Sequence, residues 1–332
     1  MNNKFKFVVV GSGNISRTYF KAIEEIKNAE IVGLVSRSLN KPKFVDENKI
    51  KISRSIKEIK VDFDAVILCT PNGLHHIGAI EAASLGKHVL TEKVLDISIQ
   101  NMDEMINACN KNNVKLAVAY QRRLNGDNPK IRELLSAEKL GKIFSVNLSV
   151  KNYRDDNYYN SAEYRGKYKI DGGGPFIQQA SHSIDLYCWF FRRPSKIASK
   201  LGTFVHDIET EDHGSAICIH ENGMIGTITA STATKPGFAP KLEVYSDKGY
   251  FEMENDLITK WDIDEVANPS YLIELNTHTG TATHTVEDVT NHKRIIRDFI
   301  DSVNNNTEPI ANGQSARIAT EMILDIYNNQ IS

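Results

Sequence analysis

Residues 5–120 alternate short apolar runs with amphipathic stretches of helical length, and this alternation leaves few folds open to the chain. The runs lack alternating polar positions, which is typical of strands covered on both faces. Helical crossovers between such strands require parallel pairing. The sequence therefore predicts an α/β fold in which residues 1–120 form a doubly wound parallel sheet of the Rossmann type. The predicted strands are 5–10, 31–35, 65–69, 88–90 and 115–119, and the predicted helices follow Gly13 and cover 74–85 and 98–109.

The pattern changes after Tyr120. Residues 143–150 alternate like a strand with one solvated face, and several short strands follow in succession. Such a series favours a sheet with helices gathered on one face. We predict that residues 121–332 form an α+β domain with a mostly antiparallel open sheet. Its other predicted strands are 197–205, 215–220, 224–230, 241–245 and 250–253; its helices are 129–139, 174–191, 289–303 and 315–328; residues 41–60 and 153–171 are predicted to be a solvated connecting segment and a loop.

Length and composition exclude several classes of protein. A chain of 332 residues suits about two domains, and 41% hydrophobic with 25% charged residues is typical of a folded globular protein. The net charge is −2 and no basic stripe is present, so we expect no nucleic-acid partner. No stretch approaches the roughly 18 apolar residues of a membrane span. We expect a cytoplasmic protein without a membrane partner.

The cysteines and histidines carry no metal signature. The four cysteines lie far apart and form no Cys-x-x-Cys pair, and the histidines are scattered. Zinc, redox and disulfide-framework sites all require closer spacings. We therefore predict buried, reduced thiols and no metal site.

A glycine-rich turn follows the first predicted strand, with the sequence Gly11-Ser12-Gly13-Asn14-Ile15-Ser16. Gly11 permits a tight turn, and Gly13 lets the backbone approach a pyrophosphate at the positive end of the next helix. Ser16 replaces the third glycine of the usual fingerprint. Because the motif lies between a predicted strand and a predicted helix, it predicts a dinucleotide site rather than a plain turn.

The end of the second predicted strand bears on which dinucleotide binds. It has the sequence Ser36-Arg37-Ser38, without the carboxylate that would bind a ribose 2′-hydroxyl. Arg37 with its two hydroxyl neighbours can receive a 2′-phosphate, or it can be an ordinary surface arginine. The sequence therefore favours NADP over NAD, and only weakly.

Polar residues follow the next two long strands at their carboxyl ends, where doubly wound folds bind ligands. One strand is followed by Thr70-Pro71-Asn72 and the other by Glu92-Lys93. A lysine at such a position can hydrogen-bond a substrate hydroxyl. We expect the cofactor to be lined by Thr70, Pro71, Asn72, His75, Glu92 and Lys93.

The order of these motifs resembles that of one family. The Gly-x-Gly turn, Thr-Pro-Asn, Glu-Lys and then Gly172-Gly173-Gly174 leading to His182-Ser183-Ile184-Asp185 are similar to motifs of the glucose–fructose oxidoreductase, inositol dehydrogenase and rhizopine-catabolism (Gfo/Idh/MocA) family. The resemblance covers nearly the whole chain, including Glu211-Asp212. It implies a homodimer or homotetramer that catalyses without a metal.

The resemblance also implies roles for single residues. Lys93 is similar to the family's active-site lysine, beside nicotinamide and substrate. His182 is similar to its catalytic histidine, which exchanges a proton with the reacting hydroxyl. Asp185 lies on the same helical face and can either orient His182 or fill a buried polar site.

Two positions depart from the family pattern. Val94 stands where members usually have proline, which leaves the backbone geometry after Lys93 open. Gln178 stands where inositol dehydrogenases have an aspartate. The segment Tyr164-Arg165-Gly166 and the amide pair Gln178-Gln179 are instead similar to members that oxidise nucleotide-linked amino sugars or sugar acids.

The resemblance therefore implies an NAD(P)-dependent oxidoreductase that acts on a secondary hydroxyl of a cyclic sugar, carried on a nucleotide. One alternative is a free-sugar or inositol dehydrogenase. Another is a sensor that binds the dinucleotide without turnover. Retention of both Lys93 and His182 argues against the sensor.

Several residues are candidates for substrate contact. Arg122 and Arg123 can bind substrate oxygens or make interdomain salt bridges. The loop 153–168 can hold a sugar and a phosphate or be simply solvated, and Arg154 joins Arg122, Arg123 and Arg165 as a candidate diphosphate ligand. The full set of predicted substrate residues is Tyr120, Arg122, Arg123, Arg165, Gln178 and Asp185.

Overall fold

The computed structural model describes residues 4–39, 42–46, 50–270 and 288–332. The chain divides into two compact units. The first contains Met1–Gln121 and Thr283–Arg317, and the second contains Arg122–Ala282 and Ile318–Ser332. The predicted boundary at residue 120 assigned residues 283–317 to the second domain, whereas the structure groups them with the first unit.

The first unit is built on a six-stranded parallel sheet. Its strands are β1 (Phe5–Val10), β2 (Ala29–Val35), β3 (Lys51–Ser53), β4 (Ala65–Leu68), β5 (His88–Thr91) and β6 (Leu116–Val118). Their order across the sheet is β3-β2-β1-β4-β5-β6, and every pairing is parallel. The chain winds outward in both directions from β1 and β4, so the carboxyl ends of these two strands form the switch point at which such sheets bind ligands.

The crossover helices of this unit are α1 (Asn14–Glu24), α2 (His75–Ser84) and α3 (Ile99–Lys111). Phe7, Val8 and Val9 of β1 are fully buried, as expected for a strand covered on both faces. The predicted doubly wound fold is confirmed.

Strand β3 lies within the segment predicted to be a solvated connection. It has three residues and pairs only with β2, at the edge of the sheet. Lys51 is exposed and Ile52 is half-buried. So short an edge strand has no hydrophobic period that sequence analysis could detect.

The second unit contains a seven-stranded sheet. Its strands are β7 (Ile143–Lys151), β8 (Lys196–Gly202), β9 (His213–Ile219), β10 (Ile225–Ser231), β11 (Lys241–Ser246), β12 (Gly249–Glu254) and β13 (Leu257–Ile263). The order is β13-β12-β11-β7-β10-β9-β8, in which β7 and β10 pair in parallel and all other neighbours are antiparallel. The predicted mostly antiparallel sheet is confirmed.

Strand β13 is absent from the prediction. It joins β12 through Asn255 and Asp256, whose φ values are +47° and +73°. Two left-handed residues are what a tight hairpin turn requires, and Asn and Asp tolerate that conformation best after glycine. This turn was the signal that could have revealed the strand.

The helices of the second unit are α4 (Asn128–Ser136), α5 (Asp156–Asn160), α6 (Tyr168–Asp171), α7 (Pro175–Gln178) and α8 (Ser181–Phe191). The single helix predicted over 174–191 is therefore wrong. The backbone N–H of Ala180 donates to the carbonyl of Pro175 at 2.8 Å, which ends α7 before α8 begins. The predicted loop 153–171 contains the short helices α5 and α6.

Two helices end the chain, α9 (Thr290–Asn305) and α10 (Gly313–Asn328). Phe299 of α9 packs on Phe5 and Phe7 of β1, with ring centroids 6.3 and 6.2 Å apart. Ile296 and Ile300 are buried in the same cluster. These contacts explain why the segment belongs to the first unit.

Candidate functional site

The turn after β1 allows close approach of a ligand to the backbone. Gly11 has φ +110°, and a Cβ there would lie 2.6 Å from the carbonyl oxygen of Cys69, so only glycine fits. A Cβ on Gly13 would meet nothing within 4 Å. Ser16, in place of the third glycine, is buried and donates its hydroxyl to the Gly13 carbonyl at 2.6 Å. No side chain in the described part of the chain caps α1, so the positive helix end beginning at Asn14 and Ile15 can receive a phosphate.

A ladder of three serine hydroxyls lies at the end of β2. Ser12 Oγ is 3.1 Å from Ser36 Oγ, which is 3.4 Å from Ser38 Oγ. Ser36 is buried, whereas Arg37 is exposed and makes no ion pair with any described residue. Arg37 therefore presents its guanidinium next to these hydroxyls.

His75 lies at the start of α2, just after the turn formed by Pro71 and Asn72. It is fully buried, with Nε2 2.9 Å from the Thr70 carbonyl oxygen and Nδ1 2.7 Å from the Val94 carbonyl oxygen. Burial lowers the pKa of the ring. His75 thus connects the loops after β4 and β5, and its predicted contact with the cofactor stays a prediction.

Glu92 and Lys93 follow β5 and are half-buried. One Glu92 carboxylate oxygen accepts a hydrogen bond from the hydroxyl of Tyr19 at 2.7 Å, and the other accepts one from the backbone N–H of Lys93 at 3.3 Å. The Lys93–Val94 peptide bond is cis, which settles the geometry that the missing proline left open. Tyr19 gave no signal in the sequence, because an aromatic residue on the apolar face of a helix is ordinary.

Asp96 is a second residue that sequence reasoning missed. Its carboxylate is fully buried and accepts from the backbone N–H groups of Ile97 and Ser98 and from the side chain of Asn101. His76 Nδ1 lies 2.9 Å from its other oxygen. Asp96 therefore fixes the chain after Lys93 to the starts of α2 and α3.

Tyr120, a predicted substrate residue, ends the strand region of the first unit and is fully buried. Its backbone N–H donates to the carbonyl of Val118 at 2.7 Å. The predicted substrate contact of Tyr120 stays a prediction.

In the second unit, the turn Gly172-Gly173-Gly174 packs tightly against a buried acid. A Cβ on Gly173 would clash with the Tyr327 hydroxyl, and a Cβ on Gly174 with the Glu211 carbonyl. The Glu211 carboxylate accepts from the Gly174 N–H at 3.0 Å and from the Tyr327 hydroxyl at 2.8 Å. Burial raises the pKa of this carboxyl. The glycines are therefore needed for this close packing.

His182 lies half-buried in the first turn of α8. The predicted helix would have placed it mid-helix, but the break after α7 brings it to a helix start. Gln178 is half-buried at the end of α7 and donates to the Asp171 carbonyl at 2.7 Å. Gln179 donates to the Tyr158 hydroxyl at 3.1 Å. The amide pair thus links α7 to the segment that contains α5 and α6.

Arg123 and Asp185 form a buried, two-bonded ion pair. Arg123 Nε and Nη2 lie 2.9 and 2.6 Å from the two Asp185 oxygens, and Arg123 is only 1% exposed. Burial raises the pKa of Asp185, and Arg123 opposes that shift. Asp185 thus fills a buried polar site, and the predicted substrate contacts of both residues stay predictions.

Arg122 is also paired within the second unit. Its Nε lies 2.8 Å from an Asp256 oxygen, and its Nη1 donates to Ser183 Oγ at 2.8 Å. Its Nη2 also lies 2.6 Å from an Asp256 oxygen, so each of its three side-chain nitrogens has a partner. Arg122 therefore has a structural role in the second unit, and its predicted substrate contact stays a prediction.

Arg154 and Arg165 have different surroundings. Their guanidinium carbons lie 5.2 and 4.2 Å from the ring centroid of Tyr158. Both side chains are half-buried, neither Nε has a hydrogen-bond partner, and neither arginine pairs with a carboxylate among the described residues. Two such cations around one ring form a site suited to an anion.

The backbone of Arg154 is held by a buried pair. His206 Nε2 lies 2.8 Å from the Arg154 carbonyl oxygen, and His206 Nδ1 lies 3.0 Å from Asp212. Burial alone would raise the pKa of Asp212, but hydrogen bonds from three backbone N–H groups lower it overall. The Glu211-Asp212 motif therefore supports both the glycine turn and Arg154.

The described residues contain no group of three His, Cys, Asp or Glu side chains that could hold a metal ion. No helix in this part of the chain is long and apolar enough to cross a membrane. All four cysteines are buried and free of disulfides, as predicted.

Two family models match the chain. Residues 5–120 match the model described as the oxidoreductase family, NAD-binding Rossmann fold, and residues 129–252 match the GFO/IDH/MocA C-terminal domain. Both matches agree with the motifs and with the two sheets. The first match shows that residues 5–120 form an NAD-binding Rossmann domain.

Individual relatives are similar over most of the chain. The WlbA dehydrogenase of Bordetella pertussis, solved with NADH and UDP-GlcNAcA, is 25% identical with a TM-score of 0.85, covering 98% of this chain and 96% of that chain. Glucose-6-phosphate 3-dehydrogenase of Bacillus subtilis is 28% identical over 74% of this chain and 73% of that protein. The scyllo-inositol 2-dehydrogenase (NADP(+)) of the same species is 24% identical over 60% of this chain and 55% of that protein.

Proposed function

The chain belongs to the Gfo/Idh/MocA family of NAD-binding oxidoreductases, and from this premise we propose that it oxidises a secondary hydroxyl of a cyclic sugar carried on a nucleoside diphosphate. The observation that carries the proposal is the pair Arg154 and Arg165, which flank Tyr158 without a carboxylate partner among the described residues. A free sugar or polyol offers no anion for these two cations. A nucleotide sugar does.

The residues of the first unit fit a nicotinamide dinucleotide. Gly11 leaves no room for a side chain, Gly13 faces open space and α1 has no side-chain cap, so a pyrophosphate can reach the backbone N–H groups there. The exposed Arg37 beside Ser36 and Ser38 favours a 2′-phosphate at the adenosine end. When bound, the nicotinamide ring supplies the hydride acceptor.

The proposed chemistry assigns one task to each of two residues. Lys93 donates hydrogen bonds that orient the substrate hydroxyl beside the nicotinamide. His182 takes the hydroxyl proton as the hydride leaves the same carbon. Gln178 stands at the position where the resemblance implies an aspartate in inositol dehydrogenases, and its side chain donates to the Asp171 carbonyl. Position 178 therefore supplies no carboxylate for His182.

The relatives support this substrate class. WlbA was solved with UDP-GlcNAcA, a nucleotide-linked sugar acid, and it shares the fold over nearly the whole chain. We propose a UDP-linked N-acetylhexosamine or hexuronate as substrate. We further propose a cytoplasmic homodimer or homotetramer.

The test is a substrate panel. UDP-linked N-acetylhexosamines and hexuronates are compared with myo-inositol and glucose by following nicotinamide reduction, with and without a 2-oxo acid that could recycle a retained cofactor. We expect the highest kcat/KM with a nucleotide sugar. A higher kcat/KM for inositol or glucose would favour a free-sugar dehydrogenase, and no turnover at all would favour a sensor.

The active-site assignment is tested with Lys93→Met. This change keeps much of the side-chain volume but removes the ammonium group, so turnover should fall about 10²-fold or more. Cofactor binding through Gly11 and Gly13 should persist. Lys111→Met, in the exposed last turn of α3, is the matched control and should leave turnover unchanged. Near-normal turnover of Lys93→Met would place the active site elsewhere.

A further inference from the structure

Tyr19 is a buried polar residue to which the proposed mechanism assigns no task. It lies on the inner face of α1, the helix whose start is expected to receive the cofactor phosphates, and it has no exposed surface. Its ring meets His292 of α9 edge-on, with centroids 5.4 Å apart and planes at 89°. The ring is therefore fixed from behind, which gives the hydroxyl a defined direction.

The hydroxyl links two separate elements of the first unit. In the strand order β1-β4-β5, Tyr19 lies in the helix that follows β1, and Glu92 lies directly after β5. The hydroxyl donates to Glu92 at 2.7 Å, although 73 residues separate the two in sequence. One hydrogen bond thus connects α1 to the segment after β5, which contains Lys93.

Glu92 is half-buried and keeps capacity for another partner. Tyr19 uses one of its oxygens and the backbone N–H of Lys93 the other. An ionised carboxylate has about four acceptor positions, so at least two remain for a ligand. The two protein bonds set the direction in which the remaining positions point.

We propose that Tyr19 is a positioning residue for the cofactor: it holds the Glu92 carboxylate, and through it the Lys93 backbone, in the orientation that a bound dinucleotide requires. Binding at the start of α1 and placement of Lys93 are then coupled through one hydroxyl. The proposal rests on the assignment of Glu92 to the cofactor site, which is part of the proposed function, but not on the identity of the sugar.

The experiment measures NADH and NADPH binding without substrate, by fluorescence titration of the full-length protein. Tyr19→Phe removes one oxygen and keeps the ring against His292. A lost hydrogen bond to a charged group corresponds to a tenfold or larger change in an equilibrium constant, so we expect the Kd to rise about tenfold. Glu92→Gln should weaken binding at least as much.

The double variant identifies the route of the effect. If Tyr19 acts through Glu92, then adding Tyr19→Phe to Glu92→Gln should raise the Kd no further. Tyr187→Phe is the matched control, because Tyr187 is equally buried and its hydroxyl lies 2.8 Å from His220 in the second unit. It should lower the melting temperature about as much as Tyr19→Phe and leave the Kd unchanged.

Three results would overturn the proposal. An unchanged Kd in Tyr19→Phe, together with weaker cofactor binding in Glu92→Gln, would show that the Tyr19 hydroxyl has only a structural role. Additive effects in the double variant would show a route other than Glu92. An unchanged Kd in Glu92→Gln would show that neither Glu92 nor Tyr19 contributes to cofactor binding. If no nucleotide sugar proves to be a substrate, these measurements of cofactor binding still apply.

Discussion

The segment Arg122–Arg123 and the loop around Tyr158 each carry two guanidinium groups in the second unit, and their surroundings differ. Arg123 is paired with Asp185 inside the protein, and Arg122 is paired with Asp256. Arg154 and Arg165 lie over the Tyr158 ring, and no described carboxylate neutralises either of them. The first two charges are balanced within the fold, whereas we propose that a bound anion balances the last two.

The difference shows how the protein separates stability from binding. A buried guanidinium needs a carboxylate, because an unpaired charge in the interior is costly. A half-buried guanidinium on a ring face gains a cation–π contact and stays partly hydrated, so it is stable without a carboxylate and available to bind an anionic ligand. Substitution should therefore affect folding at the first pair and substrate affinity at the second.

The largest effect is expected at Arg123. Arg123→Ala leaves the Asp185 carboxylate buried without its partner, which costs about 3 to 5 kcal/mol of unfolding free energy. Urea unfolding monitored by circular dichroism measures the loss. The double change Arg123→Met with Asp185→Leu should recover most of it, because a buried ion pair can be replaced by apolar residues of similar volume. A loss below about 1 kcal/mol in the single variant would contradict this comparison.

The same variant should show a defined pH dependence. Burial raises the pKa of Asp185, and removal of Arg123 raises it further. The folded variant then binds a proton more tightly than the unfolded chain, so its stability increases as the pH falls from its raised folded pKa towards the unfolded value of about 3.9. The difference in unfolding free energy between the wild-type protein and the variant should be larger at pH 8 than at pH 5.

The second effect concerns Arg165 and Arg154. Replacing either with alanine removes the proposed charge-assisted contact to a diphosphate, so kcat/KM for a UDP-linked sugar should fall about tenfold or more. Activity on any free sugar that the enzyme accepts should not change, and neither should stability by more than about 1 kcal/mol. Lys167→Ala, an exposed cation in the same loop, is the control. Equal losses for free and nucleotide-linked sugars would refute the anion site.

The sequence indicated the fold far better than it indicated these arginines. Apolar runs such as Phe5–Val10 reflect burial on both faces, which depends on local composition, so the first sheet could be predicted with its strand positions. The short edge strand Lys51–Ser53 could not, because it carries no apolar period. The helix break before Ser181 falls at Gln179-Ala180, where no glycine or proline marks it in the sequence.

Ion pairing could not be predicted for a similar reason. Asp185 lies 62 residues from Arg123 in sequence, and Asp256 lies 134 residues from Arg122. Only tertiary packing decides which arginine receives a carboxylate. Likewise, nothing near Tyr19 in sequence reveals its bond to Glu92. Residue type and motif order identified the candidate residues. Burial and hydrogen-bond partners, which only the structure shows, then distinguished paired residues from those without a carboxylate partner among the described residues.

A third prediction extends the comparison to Arg37, which is exposed and has no ion-pair partner among the described residues. If Arg37 binds a 2′-phosphate, as we propose that Arg154 and Arg165 bind a diphosphate, NADP should bind at least as well as NAD. Arg37→Asp should reverse the order, since a charge-assisted contact contributes about 1.5 to 3 kcal/mol, or tenfold and more in affinity. Calorimetric titration with both cofactors measures the ratio. Identical ratios before and after the change would show that Arg37 points into solvent.

The smallest effect is expected at Arg193, which is paired but exposed. Its Nε lies 3.0 Å from an Asp325 oxygen, as close as the buried pair, yet the arginine side chain is 39% exposed and the aspartate 25%. Water already solvates both charges, so Arg193→Ala should cost only about 0.2 to 1 kcal/mol, and less at high salt. A double-mutant cycle with Asp325→Ala, read by urea unfolding at two salt concentrations, isolates the pair. A coupling energy near that of Arg123 and Asp185 would show that the distance between the charges, and not their burial, sets the contribution of a paired arginine to stability.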